Sequence, residues 1–393
     1  MIATHSFISL FLTGFYLVVI LYLIKGWSNL RRPKFSPAEP ATKVTVLIAA
    51  RNEEAGIHLT IEDILAQDYP KHLIEIIIVD DHSTDRTADI IRSYAPQGVK
   101  LHMMQAGQAL NSYKKKAIAE AIGLSAGDLM VATDADCRMG KKWLSTIVAY
   151  FEIENPLMIS SPVTYFEEKS LFERLQTLEF SFLIGIGASF IGNNRASTCN
   201  GANFAYRKDT FYEVGGFKGI DELASGDDEL LLQKVAAIHP GSIRFLKDRN
   251  AIVHTHAKAN LKEFVQQRRR WASKSTKYKD KKVVALAVCM WLFNVSLLVN
   301  ALLGFYDVYF FELFLTQFIL KTVFEAAFLI PVNLFLGRPR LVWLLLIVSP
   351  LHTLYLIYIG LVSNYQNTQK YAWKGRLVME PGGCFPVYNI EFQ

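Results

Sequence analysis

Cysteine is scarce in this 393-residue sequence, and the four present stand far apart. Cys137, Cys199, Cys289 and Cys384 fit no metal spacing, so reduced thiols in a cytoplasmic setting are expected. Charge is also short: 20% of residues are charged against 51% hydrophobic, which is low for a soluble protein of this length. The formal charge of +6 is modest and gathers near apolar segments, so it reads as membrane topology and excludes a nucleic-acid partner. The first apolar run has no Lys or Arg before it and no small-x-small site after it. That argues against a cleaved signal peptide.

The apolar excess sits at the two ends of the chain. Residues 7–24 are uncharged and long enough to span a bilayer, giving an N-terminal anchor over 1–30. Lys25, Arg31, Arg32, Lys34 and Lys43 follow it. The positive-inside rule then puts the N-terminus outside and the next residues in the cytoplasm, at a plasma (inner) membrane. Residues 283–304 and 341–363 are two further spans within a C-terminal apolar region, 283–365, ahead of a tail at 366–393. Residues 309–336 are ambiguous, because Glu312, Lys321 and Glu325 interrupt them. Lys321 and Glu325 are four apart and share a helix face, so the segment is either a span packed on its neighbours or an interfacial helix. If it spans, parity puts the tail outside; the basic stretch 370–376 argues for inside. Residues 171–190 show helical apolar spacing that suits a membrane-surface helix or a core-facing one equally.

Residues 43–282 read as a soluble α/β domain. Apolar runs at 44–50, 74–79 and 129–132 alternate with helical stretches, one of them from about Asp85 to Tyr94. Such runs predict a mainly parallel, Rossmann-like sheet with helices on both faces. Ligands of such sheets bind beyond the carboxyl ends of the strands, and each run here ends in polar or charged residues.

Three acidic sites stand out. Asp80 and Asp81 end one run. Ser83, Thr84 and Asp85 suit a helix cap, but two adjacent acids repel unless something binds there, and a carboxylate at that place can accept from the imide N–H of uracil. Asp134-Ala135-Asp136 ends another run, and two carboxylates one residue apart suit one hard divalent cation, Mg2+ or Mn2+, shared with a diphosphate. Asp227 and Asp228 begin a helix. Ser225 and Asp228 have capping-box spacing, whereas the functional alternative makes Asp228 a general base for an acceptor hydroxyl. Gln267, Arg270 and Trp271 share a helix face suited to a diphosphate and a sugar, while Arg268, Arg269 and the lysines after them read as a juxtamembrane basic patch. Lys114 to Lys116 read as a solvated charge run, with Lys114 the candidate for a phosphate contact. His254 and His256 lack a third ligand and read as structural or surface residues.

The ordered set AARNEE (49–54), VDDHSTD (79–85), DAD (134–136), CNGANFAYRKDTFYEVGGF (199–217), GDDELLL (226–232) and QRRRW (267–271) resembles the membrane branch of glycosyltransferase family 2. Cellulose-synthase-like members carry Thr-Glu-Asp where this chain has Gly226-Asp227-Asp228. The resemblance implies a GT-A fold and inverting transfer from a nucleotide sugar. It places Arg51, Asn52, Glu53, Asp80, Asp81 and Lys114 at the donor, with Asp134 and Asp136 holding metal and diphosphate. Asp228, or its neighbour Asp227, is the implied base. Gln267, Arg270 and Trp271 lie near donor and acceptor, and the turn with Asn200, Gly201 and Asn203 lies at the acceptor. The short apolar region suits a lipid or membrane-associated acceptor. A processive polysaccharide synthase is the alternative, and an inactive nucleotide-sugar-binding scaffold would have lost acids that are all present here.

Overall fold

The computed structural model describes residues 2–35, 40–105, 112–221, 225–273, 281–365, 370–373 and 376–379. Ten strands lie between Val44 and Thr255: β1 (Val44–Ala50), β2 (Ile74–Asp80), β3 (Val99–Met103), β4 (Leu129–Ala132), β5 (Arg138–Met139), β6 (Met158–Ser160), β7 (Val163–Tyr165), β8 (Phe204–Arg207), β9 (Ile243–Phe245) and β10 (Val253–Thr255). Seven of them form one sheet in the order β3-β2-β1-β4-β8-β6-β9. The pairs among β3, β2, β1 and β4 are parallel, as the continuous apolar runs predict. β8 is antiparallel to both β4 and β6. Strands β5, β10 and β7 make a smaller second sheet.

Helices α1 (Ile2–Asn29), α2 (Ile57–Leu65), α3 (Thr87–Ser93), α4 (Tyr113–Leu124), α5 (Trp143–Glu154), α6 (Leu171–Gly192), α7 (Lys208–Glu213), α8 (Glu229–Ile238) and α9 (Leu261–Ser273) precede a C-terminal set of α10 (Lys281–Leu303), α11 (Val308–Phe335) and α12 (Leu345–Tyr365). α3 starts two residues later than the apolar pattern predicts, because the Asp85 side chain accepts from the Thr87 amide at 3.0 Å and fixes the start there. Five stretches are long and apolar enough to cross a membrane: α1, α6, 284–303, α11 and 339–361.

The charged residues of α11 turn inward. Lys321 donates to Glu325 at 2.7 Å and to Ser349 of α12 at 2.7 Å, and Tyr16 of α1 donates to Glu325 at 2.6 Å. All these groups are buried, so the charges face the helices around them. A second polar cluster joins α1, α10 and α11, where Gln317 donates to Thr13 and Asn300 donates to Gln317.

α6 is neither a free surface helix nor an ordinary core helix. Its C-terminal part crosses the end of α1 so closely that a Cβ on Gly26 would meet the Ser189 carbonyl at 2.1 Å. Asn193 donates to the Tyr22 carbonyl, and Asn333 near the end of α11 donates to Ser181. These partners sit at the ends of α1 and α11 nearest the sheet. α6 therefore runs along the seam between the apolar helices and the α/β layers.

Candidate active site

Parallel strands β1, β2 and β4 all finish on one edge, and each hands its chain to a polar turn there. The antiparallel entry of β8 brings a fourth segment to the same edge: Ala132 pairs with Phe204, so the 199–203 turn lies beside the Asp134 turn. Thr133 seals the two by donating to the Ala202 carbonyl at 2.9 Å.

The turns after β1 and β2 are laced together. Arg51 is buried and donates to the carbonyls of Asp81 and His82 at 2.6 and 2.9 Å. The Asn52 amide meets Ser83, the Asn52 side chain accepts from the Thr84 amide, and the Glu53 amide donates to Thr87. Asn52 and His82 both hold left-handed backbone, φ 50° and 54°, a strained geometry for non-glycine residues that the surrounding bonds enforce. The adjacent acids avoid each other by taking different partners. Asp80 accepts from the Ser83 amide at 3.0 Å, and Asp81 lies 3.0 Å from the His82 ring nitrogen. Asp80 is fully buried, and its other oxygen has no protein partner. Asp85 sits below the ordinary carboxyl range: burial opposes this, and the hydroxyl and amide of Thr87 outweigh it.

Asp134, Asp136 and Cys137 bring one ligand atom each within 4.8 Å of one another. Thr60 of α2 fixes this turn, its hydroxyl lying 2.9 and 2.8 Å from the carbonyls of Ala135 and Cys137. Burial, with Asp134 and Asp136 beside it, pushes the Cys137 thiol well above its usual range. The two carboxylates are the hard oxygen donors of the group. That set fits a hard cation such as Mg2+ or Mn2+ and does not fit a thiolate-seeking metal.

Lysines 114 and 115 are not a solvated run. Lys114 donates to Asp134 at 2.8 Å and lies 3.2 Å from Asp227, joining the second acidic site to the third. Burial would lower its pKa, but Asp134 and Asp227 outweigh that and raise it. Lys115 is 2% exposed and donates to the Ser225 carbonyl at 2.7 Å, so α4 holds the Gly226-Asp227-Asp228 segment from behind. A charge-run reading fails here because α4 packs against this segment and turns two of its three ammonium groups inward.

Asp228 itself is the N-cap of α8; Ser225 is not. One carboxylate oxygen accepts from the Glu229 amide at 2.6 Å and the other from Gly201 at 2.7 Å. A Cβ at Gly201 would stand 3.1 Å from that second oxygen, which explains glycine at this position. The cap and the 199–203 turn are thus one assembly. Asn203 departs from its expected role. It is buried, accepts from Trp143 and donates to the carbonyls of Pro162 and Ala251, so it braces the turn and cannot face an acceptor. The Asn200 carboxamide accepts from the Ala202 amide within the same turn.

Gln267, Arg270 and Trp271 lie on α9 as expected. Arg268 does not belong to a surface basic patch: it is 2% exposed and paired with Glu179 of α6. Lys274, Lys277 and Lys279, read as part of the same patch, lie outside the described residues, as does Cys384 of the tail. Lys115, Arg268 and Glu179 are the residues the sequence reading passed over. A lone carboxylate inside the apolar run 175–191 was the available signal for Glu179.

Residues 45–215 match the profile described as "Glycosyl transferase family 2". A beta-monoglucosyldiacylglycerol synthase of Synechocystis sp. is 35% identical over 112 residues, 28% of this chain and 23% of that protein. A probable glycosyltransferase, YdaM, of Bacillus subtilis is 29% identical over 290 residues, 68% of this chain and 65% of its own. A hyaluronan synthase of Streptococcus pyogenes is 27% identical over 272 residues, 66% and 62% respectively. This chain therefore spans less than two thirds of the length of each of these relatives. Among solved structures, a mannosyltransferase of Pyrobaculum calidifontis in complex with GDP-Man and Mn2+ superposes with a TM-score of 0.56 at 17% identity. The match covers 89% of this chain and 99% of that one. The fold is GT-A.

Proposed function

The chain carries a glycosyl transferase family 2 domain over residues 45–215, and from that premise we propose an inverting transferase that moves a sugar from a UDP-sugar to a lipid hydroxyl at the cytoplasmic membrane face. The observation that carries the proposal is the convergence of Asp81, Asp134 and Asp228 on one sheet edge, bridged by Lys114 between Asp134 and Asp227.

The roles follow from what each group touches. Arg51, Asn52 and Glu53 build the loop that sets Asp80 and Asp81 for the nucleoside. Asp134 and Asp136 would hold Mg2+ or Mn2+, which when bound neutralises charge on the leaving diphosphate. Lys114 adds a fixed positive charge at the same place. Between the two candidate bases the geometry favours Asp228. Asp227 faces an ammonium group, whereas Asp228 is oriented by two amides toward the Asn200–Gly201 turn. The acceptor O–H attacks the anomeric carbon as the bond to the diphosphate oxygen breaks. The hydroxyl proton passes to Asp228, and UDP leaves. Gln267, Arg270 and Trp271 would border the sugar and diphosphate.

A lipid acceptor is favoured over a growing polymer by α6, which bonds to the ends of α1 and α11 and packs Gly187 against the Thr198 carbonyl just ahead of the 199–203 turn. The first relative's name also specifies the synthesis of a glucosyl lipid. The test is a panel of UDP-glucose, UDP-galactose, UDP-N-acetylglucosamine and GDP-mannose with the purified protein in lipid vesicles. UDP release with mass gain of one sugar unit on a lipid is expected; release from none of the three UDP-sugars contradicts the proposal.

A further inference from the structure

We propose that Glu179 is a positioning residue for the transfer reaction, acting through Arg268 to set where Gln267 and Trp271 stand; the inference rests on the function proposed above. Arg268 spends its whole guanidinium on this task. Nε donates to one Glu179 oxygen at 3.1 Å and Nη2 to the other, a two-point pairing. Nη1 donates to Gln267 Oε1 at 2.7 Å. The guanidinium carbon lies 4.6 Å from the centre of the Phe264 ring and 4.4 Å from that of Trp271. Two of the three side chains expected at donor and acceptor therefore rest on one buried cation.

Glu179 is what holds that cation. It is 9% exposed, and burial of Arg268 without a carboxylate would be costly. Glu179 is also well anchored. α6 is fixed to α1 by the backbone approach at Gly26 and to α11 by the Ser181–Asn333 bond. The next residue, Phe180, places its ring 6.1 Å from Trp271 and stacks on Tyr165 at 4.4 Å. A purely electrostatic surface patch would need none of this. Lysine at 268 would keep the charge but lose the planar fork that reaches Glu179 and Gln267 together.

The test uses the full chain in lipid vesicles and UDP release from whichever of UDP-glucose, UDP-galactose or UDP-N-acetylglucosamine the wild type turns over. Four variants are compared: Glu179→Gln, Arg268→Lys, Trp271→Ala, and Glu179→Gln with Trp271→Ala. UDP binding is measured alongside by calorimetry. Glu179→Gln should lower kcat by about 10–100-fold, the scale of displacing a reacting group by about an ångström. UDP affinity should stay within about threefold, because the nucleoside loop is untouched. Arg268→Lys should lower kcat about tenfold or more. In the Trp271→Ala background, Glu179→Gln should cost at least about threefold less than it does in the wild type, since one of the two residues it positions is gone. An undiminished cost there overturns the inference, because a general loss of structure would multiply. Wild-type kcat in Arg268→Lys also overturns it, and decides the matter if Glu179→Gln does not fold. No UDP release by the wild type overturns the proposed function itself; wild-type turnover with unchanged variants overturns only the role of Glu179.

Discussion

Asp227 and Asp228 are neighbours in sequence with different closest partners, one 3.2 Å from Lys114 and the other bonded by the amides of Gly201 and Glu229. A helix cap and a general base seemed to be alternatives for Asp228 in the sequence. The structure shows that the cap is made; base chemistry asks only that the same carboxylate also meet the acceptor. Asp228→Asn should keep UDP affinity within about threefold and lower kcat by about 10²–10⁴-fold, the usual range for a lost general base. Asparagine can still accept from one amide, so thermal stability should change little; unchanged kcat would move the role to Asp227. Asp136 is exposed and has a different task. Asp136→Ala should weaken Mn2+-dependent donor binding by about tenfold or more, read by calorimetry with and without the ion, and EDTA should abolish wild-type turnover. A wild type indifferent to chelator would remove the metal from the account. At this scale the acids were legible because they end apolar runs. The roles of Asn203 and Arg268 were not, since nothing local tells a turn amide or a basic residue that it will be buried under a distant helix.

Among the elements, α11 shows how tertiary context decides a question that composition leaves open. Its Lys321–Glu325 pair lies on one face, and only the arrival of Tyr16 and Ser349 from two other helices makes that face an interior. Breaking a buried pair strands a charge, whereas replacing both members does not. Lys321→Met alone should therefore destabilise the protein by about 3–5 kcal/mol. Lys321→Met with Glu325→Gln should recover most of that loss, measured as thermal unfolding in one detergent. Equal losses in the single and double variants would contradict this account of α11. The parallel strands were equally open to reading, since runs buried on both faces lack alternation. The antiparallel insertion of β8 was not, because four residues of strand carry no mark of direction, yet that insertion delivers Gly201 to Asp228.

Taken whole, the molecule is an α/β sheet with polar turns along one edge and an apolar helix bundle beside it, with α6 as the seam between them. Length and hydropathy announce the bundle; the seam depends on contacts such as Gly26 with Ser189, which no periodicity reveals. The same seam gives the proposed chemistry its acceptor, because it sets the sheet against the bundle. The most direct test supplies membranes containing the full chain with radiolabelled UDP-sugar and follows the label after organic extraction. The account predicts Mn2+- or Mg2+-dependent label in a small lipid product, lost in Asp228→Asn. Label retained in polymer that does not extract would contradict it.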